Sequence, residues 1–381
     1  MKKVVYLSFK RLQEISHTIA DPRRKWGNKR HELVEILAIA LLALMGGADS
    51  WEDLTLFGIA KEQLLRTVFE LRNGVPSPDT FRRVISRISP DALENLYRQW
   101  VRPYVGSCLQ KQICMDGKTI RGASKRAENP LHMVSAWVRE DKISLGQLKV
   151  AEKANEIVAI PLLLDSMDVA GSIITIDAMG CQKEIAKKIV EKQASYLLAV
   201  KLNHPTMYEE ISEYFNWALN DPTEKGQLSI WESPKELEHN RNCIWRAYVT
   251  NDVEWFQSKK DWAEIKSFVM VERIKKGSDG NSIEKAYYIS NLDVDAQTML
   301  RYSRGHWSIE NQLHWRLDVQ FNEDKSPIHK DYGAQNFSLL RKLAMAILKT
   351  DPAPKRSLRS KRKLVGWSDE YALNMLVGKY D

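Results

Sequence analysis

The sequence predicts an α/β protein with a mixed sheet flanked by helices, an all-helical unit ahead of it and a β-rich insertion within it. Three observations predict this. Helical periodicity dominates the first 95 residues or so; after Gln110 short β-branched runs alternate with amphipathic helices; and between Asn203 and about Glu284 that alternation breaks into short β-like pieces. With 381 residues, 44% hydrophobic and 28% charged, the chain can build a sizeable core and is too apolar to be disordered.

In the first unit, residues 1–95, Leu33, Val34, Leu37, Leu41, Leu44 and Met45 recur at a helical period and Gly46-Gly47 supplies a stop. Ser77-Pro-Asp-Thr then opens a helix from Thr80 to Ile88. Cations bracket these helices: Arg23, Arg24, Lys25, Lys29 and Arg30 before the first, Arg82, Arg83 and Arg87 on the second. They read equally as a solvated face or as one turned to phosphate.

Residues 96–202 carry three successive strands, Lys111 to Ile120, His132 to Val138 and Lys142 to Val150, then a helix, Asn155 to Met167. Ser172 to Ile176 is a buried strand, Gln182 to Gln193 a helix, and Tyr196 to Lys201 another strand. This order matches the ribonuclease-H-like layout, whose first three strands form an antiparallel meander. Residues 203–284 read as an inserted subdomain: a helix, Thr206 to Leu219, then Leu228 to Trp231, Cys243 to Val249 and Lys266 to Arg273, with five of the 12 tryptophans. Residues 285–350 resume with a strand, Tyr287 to Ser290, and helices Trp307 to Val319 and Ala334 to Lys349. The tail, 351–381, holds Lys355, Arg356, Arg359, Lys361, Arg362 and Lys363 and reads as solvated, with phosphate contact as the functional alternative.

Lys and Arg number 57 against 49 Asp and Glu, a net charge of +8 that favours a polyanionic partner. The four cysteines show no CxxC spacing, which argues for a reducing compartment rather than a disulfide framework. The apolar run from Ile36 to Met45 is too short to cross a bilayer, and Lys10 and Arg11 interrupt the N-terminus before a signal-peptide core can form. The expectation is a soluble, cytoplasmic protein with no membrane partner and no small-molecule substrate.

Three acids stand where chemistry could be done. Asp116, in ICMDGKTIRG, sits at the middle of the first strand, where a ribonuclease-H-like sheet presents a metal ligand, although Asp-Gly is also a hairpin-turn signal. Asp177, in IITIDAMG, follows a buried strand at its carboxyl end, where open α/β sheets collect ligands; the alternative is a helix N-cap. Glu310 falls four residues from both His306 and His314, one helical face that could hold zinc but lacks the Glu next to the first His of a metalloprotease helix. Two carboxylates from strands and one from a helix suit magnesium better.

The segments DPRRKWGNKRHELVEILAIALLALMGGADSWEDLTLFG, ICMDGKTIRGA, HMVSAW, NEIVAIPLLLD, IITIDAMGCQKEIAKKI, YLLAVKLN, YYISNL and RGHWSIENQLHWRLDVQFNED, in that order, carry a resemblance spanning almost the whole chain. It resembles bacterial insertion-sequence transposases of the ISAs type, the group that includes the H-repeat-associated proteins. The resemblance implies an Asp-Asp-Glu (DDE) recombinase with Asp116, Asp177 and Glu310 as the catalytic, metal-holding triad, two Mg2+ (or Mn2+) ions, and double-stranded DNA, element ends and target, as partner. The gap before Glu310 is about twice that before Asp177, as an insertion requires. Around Glu310 the sequence departs from the Tyr-(2)-Arg-(3)-Glu-(6)-Lys signature of related enzymes: Ser303 takes the Tyr place beside Tyr302, His306 the Arg place and Leu317 the Lys place.

The DNA contacts expected are Arg23, Arg24, Lys25, Arg82 and Arg83 in the first unit, Lys118 and Arg121 beside Asp116, Arg304, His306 and Arg316 around Glu310, and Lys355, Arg356, Lys361 and Arg362 in the tail. Trp231, Trp245 and Trp255 are candidates to stack on an unpaired base after nicking, with core packing the favoured reading for each. The resemblance also implies at least a dimer, since two ends must be paired, and a nucleoid-associated protein. The competing functions are a catalytically inactive DNA-binding relic or repressor and a simple metal-dependent endonuclease.

Overall fold

The computed structural model describes residues 14, 18–23, 29–124, 131–150, 156–238, 241–277, 280–351 and 356–377. The apolar run of the first unit becomes α1 (Leu33–Gly46), in which every side chain from Glu35 to Met45 is buried. A helix apolar on all sides must lie inside the protein. It stops at Gly47, whose left-handed φ of 115° lets its N–H return to the last turn. Next, α2 (Trp51–Ala60) starts at Ser50, which accepts from the Asp53 N–H while the Asp53 carboxylate accepts from the Ser50 N–H. The Ser-Pro-Asp-Thr signal opens α3 (Pro78–Ile85) as expected, with Ser77 capping Thr80. The following α4 (Pro90–Val105) runs through residue 95, so the division placed there falls inside a helix.

The meander forms as predicted. β1 (Gln112–Ile120), β2 (Leu131–Val138) and β3 (Ile143–Val150) are antiparallel neighbours; the Asp-Gly pair of β1 is interior to the strand and makes no hairpin turn. After α5 (Glu156–Asp165), β4 (Ile173–Ile176) pairs parallel with β1; after α6 (Lys183–Glu191), β5 (Ser195–Val200) pairs parallel with β4. The sheet order β3-β2-β1-β4-β5 is the ribonuclease-H-like one.

The strands of the insertion continue the core sheet. The insertion begins with α7 (Pro205–Asn220), and its strands β6 (Ser229–Glu232), β7 (Glu236–Glu238), β8 (Arg241–Thr250) and β9 (Ser267–Gly277) join β10 (Gly280–Ser290). β10 pairs antiparallel with β5 through Tyr287 to Ser290, so the order continues β5-β10-β9-β8-β6 in one ten-stranded sheet. An open edge at β5 would leave backbone donors unpaired, and the insertion covers it. Across one face lies α8 (Ala296–His306), a helix the sequence pattern did not single out. A π-helical turn, Glu310–His314, and α9 (Trp315–Gln320) follow in place of one regular helix.

The C-terminal segment is structured as well. α10 (Gly333–Thr350) and α11 (Leu358–Trp367) pack on α1, as does α12 (Asp369–Val377), so the helical unit is assembled from both ends of the chain. Lys361 is buried and its Nζ donates to the carbonyls of Leu348 (3.0 Å) and Asp351 (2.9 Å), capping α10. Arg362 donates to the Leu44 carbonyl and lies over the Phe321 ring, 4.2 Å from its centroid. Both expected DNA contacts are therefore turned inward; Arg356 is exposed, and Lys355 lies outside the described residues. No single helix among the described residues is long and apolar enough to cross a membrane; α1 and α2 meet at 93°.

Candidate active site

The register of the parallel pair decides where the first two acids stand. Met115 is opposite Ile176, so Asp116 and Asp177 are the next residues on adjacent strands, at the carboxyl end of β4. Asp177 also performs the alternative role: its Oδ1 accepts from the Met179 N–H (3.1 Å) and caps a short 3-10 turn, Ala178–Gly180. Asp116 Oδ1 accepts from the Gly117 N–H at 2.9 Å. A Cβ on Gly117 would stand 2.2 Å from Glu156 Oε1 and 2.7 Å from His132 Nε2, a buried hydrogen-bonded pair, so the glycine is sterically required.

Glu310 arrives by way of α8. Gln112 donates through Nε2 to the Tyr302 carbonyl (2.7 Å) and to Thr175 Oγ1 (3.1 Å), and His306 Nδ1 meets the same Thr175 hydroxyl at 3.1 Å. Gly305 permits this approach, because a Cβ there would lie 2.2 Å from Gln112 Oε1. The result is an open cleft of about 710 Å3 lined by Asp116, Asp177 and Glu310, with Lys201, Tyr208, Lys285 and Trp307 also on its walls.

The electrostatics are those of crowded carboxylates. Burial, and then the charges of Asp177 and Glu310, push Asp116 up to about 7; burial and Asp177 also raise Glu310. Carboxylates crowded in this way fit a divalent cation, whose charge offsets the repulsion that raises Asp116 and Glu310. No group of three His, Cys, Asp or Glu among the described residues is already gathered as a cage. The donor chemistry fits magnesium or manganese; zinc on the histidine face does not fit, because His306 and His314 do not point into the cleft together. Burial holds His306 down at about 4 and His314 at about 3, both neutral; His306 binds Thr175 while His314 Nδ1 stands 3.4 Å from Asp116 Oδ2.

The expected DNA contacts divide. Arg121 is exposed beside the site, Arg316 is half-buried, and Arg82 and Arg83 both pair with Asp79 on the surface of α3. Lys118 faces inward, bonded to Asp318 and Glu323, and does not stand free to meet phosphate. Arg304 makes a two-pronged bond to Glu236 (2.8 and 2.7 Å), and Arg23 binds Asp21 and the His31 carbonyl. Arg24 and Lys25 lie outside the described residues. Of the tryptophans, Trp255 stacks on Tyr214 and packs on Phe268, Trp245 lies beneath Arg273 and Arg304, and none of the three candidates lines the cleft. The sequence reading missed Lys201 and Lys285; Lys201 follows β5 in YLLAVKLN, and the strand-end rule that singled out Asp177 applies to it equally.

The chain is similar to known proteins over nearly its whole length. The family model "Transposase DDE domain" matches residues 108–347, and one described as DDE_Tnp_1-associated matches residues 14–101. The H repeat-associated protein YhhI and the protein YbfL, both of Escherichia coli, are each 35% identical over 98% of this chain and 99% of their own. Among solved structures, the piggyBac transposase synaptic complex with hairpin DNA aligns with 96% of this chain and 77% of its own at 13% identity and a TM-score of 0.43, too slight a likeness to carry argument. The chain belongs to the DDE-domain transposase family.

Proposed function

We propose that the chain is a DNA transposase that binds the ends of an insertion sequence and catalyses metal-dependent strand cleavage and strand transfer. The observation that carries this reading is the meeting of Asp116, Asp177 and Glu310, from two strands and a helix, on one open cleft with Lys201 and Lys285 at its wall. Two magnesium or manganese ions held by the three carboxylates would supply activation of water or a 3′-hydroxyl and stabilisation of the leaving oxygen. The chain's own residues do the rest. The backbone N–H groups of Gly117 and Met179 each fix one oxygen of Asp116 and Asp177, which orients the carboxylates before substrate arrives. Neutral His306 ties Thr175 to the helix that leads to Glu310. Lys201 draws the phosphate backbone to the cleft by charge, Lys285 being paired with Glu272. Pairing of two ends in a synaptic complex makes the acting species at least a homodimer, working on nucleoid DNA.

The test is a strand-transfer assay with donor DNA carrying the element ends. Asp177→Asn keeps the side chain's shape and removes the charge that holds a cation; it should abolish cleavage and joining while leaving DNA binding nearly unchanged, as should Asp116→Asn and Glu310→Gln. Asp165→Asn, on a surface carboxylate paired with Lys188, should retain activity, and Asp168→Asn likewise. Wild-type cleavage by the Asp177 variant refutes the triad. Protein that binds ends and never cuts them is a DNA-binding relic or repressor, and cutting without joining marks an endonuclease.

A further inference from the structure

A second polar pocket, of about 520 Å3, lies on the other side of α8 from the catalytic cleft. The cleft takes Ser303 and His306 from that helix and Trp307 just after it, whereas this pocket takes Gln297, Arg301 and Arg304, and adds Arg139 just after β2 and Trp231 from β6. Three guanidinium groups thus meet in one concavity. Glu236 neutralises Arg304. Neither Arg139 nor Arg301 is ion-paired with a carboxylate among the described residues. Arg139 Nη1 donates to Gln112 Oε1 (3.0 Å) and to the Arg301 carbonyl (3.2 Å), while Arg301 lies over the Tyr302 ring and donates to its hydroxyl at 3.4 Å. Glu140, next to Arg139, is turned to the Gln112 N–H at 2.9 Å. Each guanidinium has five N–H donors, so most of those on Arg139 and Arg301 remain for a ligand.

We propose that this pocket is an anion subsite for the phosphodiester backbone of DNA bound across α8. The proposal rests on the DNA-binding reading of the chain and extends it to residues outside the cleft. Two unneutralised guanidinium forks repel each other when close, and an oxyanion between them removes the penalty while using their planar donors. Trp231 supplies a flat apolar wall beside the sugar, and Gln297 and Thr298 supply neutral polar groups. A helix with its side chains is about 10–12 Å across, and a duplex rises about 3.4 Å per base pair, so the phosphate held here lies about three base pairs from the one in the cleft.

The full chain is titrated with a labelled duplex by fluorescence anisotropy between about 50 and 200 mM salt, because the backbone term is independent of sequence; inorganic pyrophosphate is titrated separately by calorimetry. Removing one guanidinium–phosphate pairing lowers the slope of log K against log salt by about 0.9. The Arg139→Gln/Arg301→Gln variant should lose nearly two units of slope and its pyrophosphate binding, and Arg→Lys at both positions should restore most of the slope. Should the double variant fail to fold, Arg301→Gln alone, on an exposed side chain, should lose about one unit with its thermal midpoint unchanged. Wild-type protein that binds duplex with a slope insensitive to these changes overturns the subsite. If the wild type binds no duplex but does bind pyrophosphate, and the variant does not, the DNA reading fails while the anion site stands. Failure to bind either ligand overturns both, and leaves an acidic protein surface as the occupant to be sought.

Discussion

Lys118 ties the strand that carries Asp116 to the segment beyond Glu310, and if the proposed site is right, removing it should show as a coupled loss of stability and metal affinity. The side chain leaves β1 two residues beyond Asp116 and is 11% exposed; its Nζ bonds Asp318, on α9 beyond Glu310, and Glu323 at 2.8 Å. Burial alone would raise Glu323, yet Lys118, with Arg341 and Lys342, drives it from 4.5 down to about 2. At about 1.36 kcal/mol per unit this is about 3 kcal/mol of stability. The folded value lies below the unfolded one, so that stability is present above about pH 4.5 and is lost as pH falls through about 2. Lys118→Met strands a buried carboxylate, and breaking a buried pair in this way costs about 3–5 kcal/mol. In a urea double-mutant cycle at pH 7 with Glu323→Gln, the coupling energy should be about 2 kcal/mol, Arg341 and Lys342 accounting for the rest of the Glu323 shift. Divalent-ion affinity of the folded Lys118→Met protein should fall at least about tenfold, the usual effect of losing a group that orients metal ligands. A coupling energy below about 1 kcal/mol, or unchanged ion binding, would refute the argument.

Gly117→Ala should cost about 1–3 kcal/mol in urea unfolding, because the new methyl must displace the buried Glu156–His132 pair; an unchanged midpoint would mean that pair is free to move. Trp255→Ala should lose about 1–3 kcal/mol through its packing on Tyr214 and Phe268, the side chain being half-buried, while the DNA-binding constant of whatever remains folded stays unchanged. A fragment of residues 1–95 should not fold by itself, since α10 and α11 cover α1; circular dichroism of the purified fragment should show no cooperative thermal transition. Deleting residues 352–381 should uncover the same helix and lower the thermal midpoint of the whole chain.

What was legible in the sequence is what local periodicity encodes. The meander, the parallel strands and the position of Asp177 at a strand end all follow from runs of four to nine residues whose apolar pattern is decided by immediate neighbours. α11 was invisible for the opposite reason. Its buried positions, Leu358, Lys361 and Val365, keep a helical period, but the middle one is a lysine whose stem packs inward while its charge caps α10. A charge count cannot distinguish that lysine from its neighbour Lys363, which is not buried.

The continuity of the sheet was hidden because its deciding pairing, Tyr287 to Val200, joins residues far apart in the chain; the local signal shows only strands, and the open edge of β5 decides where they go. The same distance effect reverses the role of Lys118. Read locally it is a cation beside Asp116, suited to meet phosphate; once α9 and the turn after it deliver Asp318 and Glu323, two carboxylates hold that ammonium instead. Among the described residues, the cations near the cleft and α8 without a carboxylate partner are Lys201 at the end of β5, Arg139 and Arg301, and these are the ones proposed to face DNA. Tertiary structure thus assigns Lys118 a structural role and leaves Lys201, Arg139 and Arg301 as the proposed ligand-facing set, and an assay that reads salt dependence separately from stability distinguishes the two.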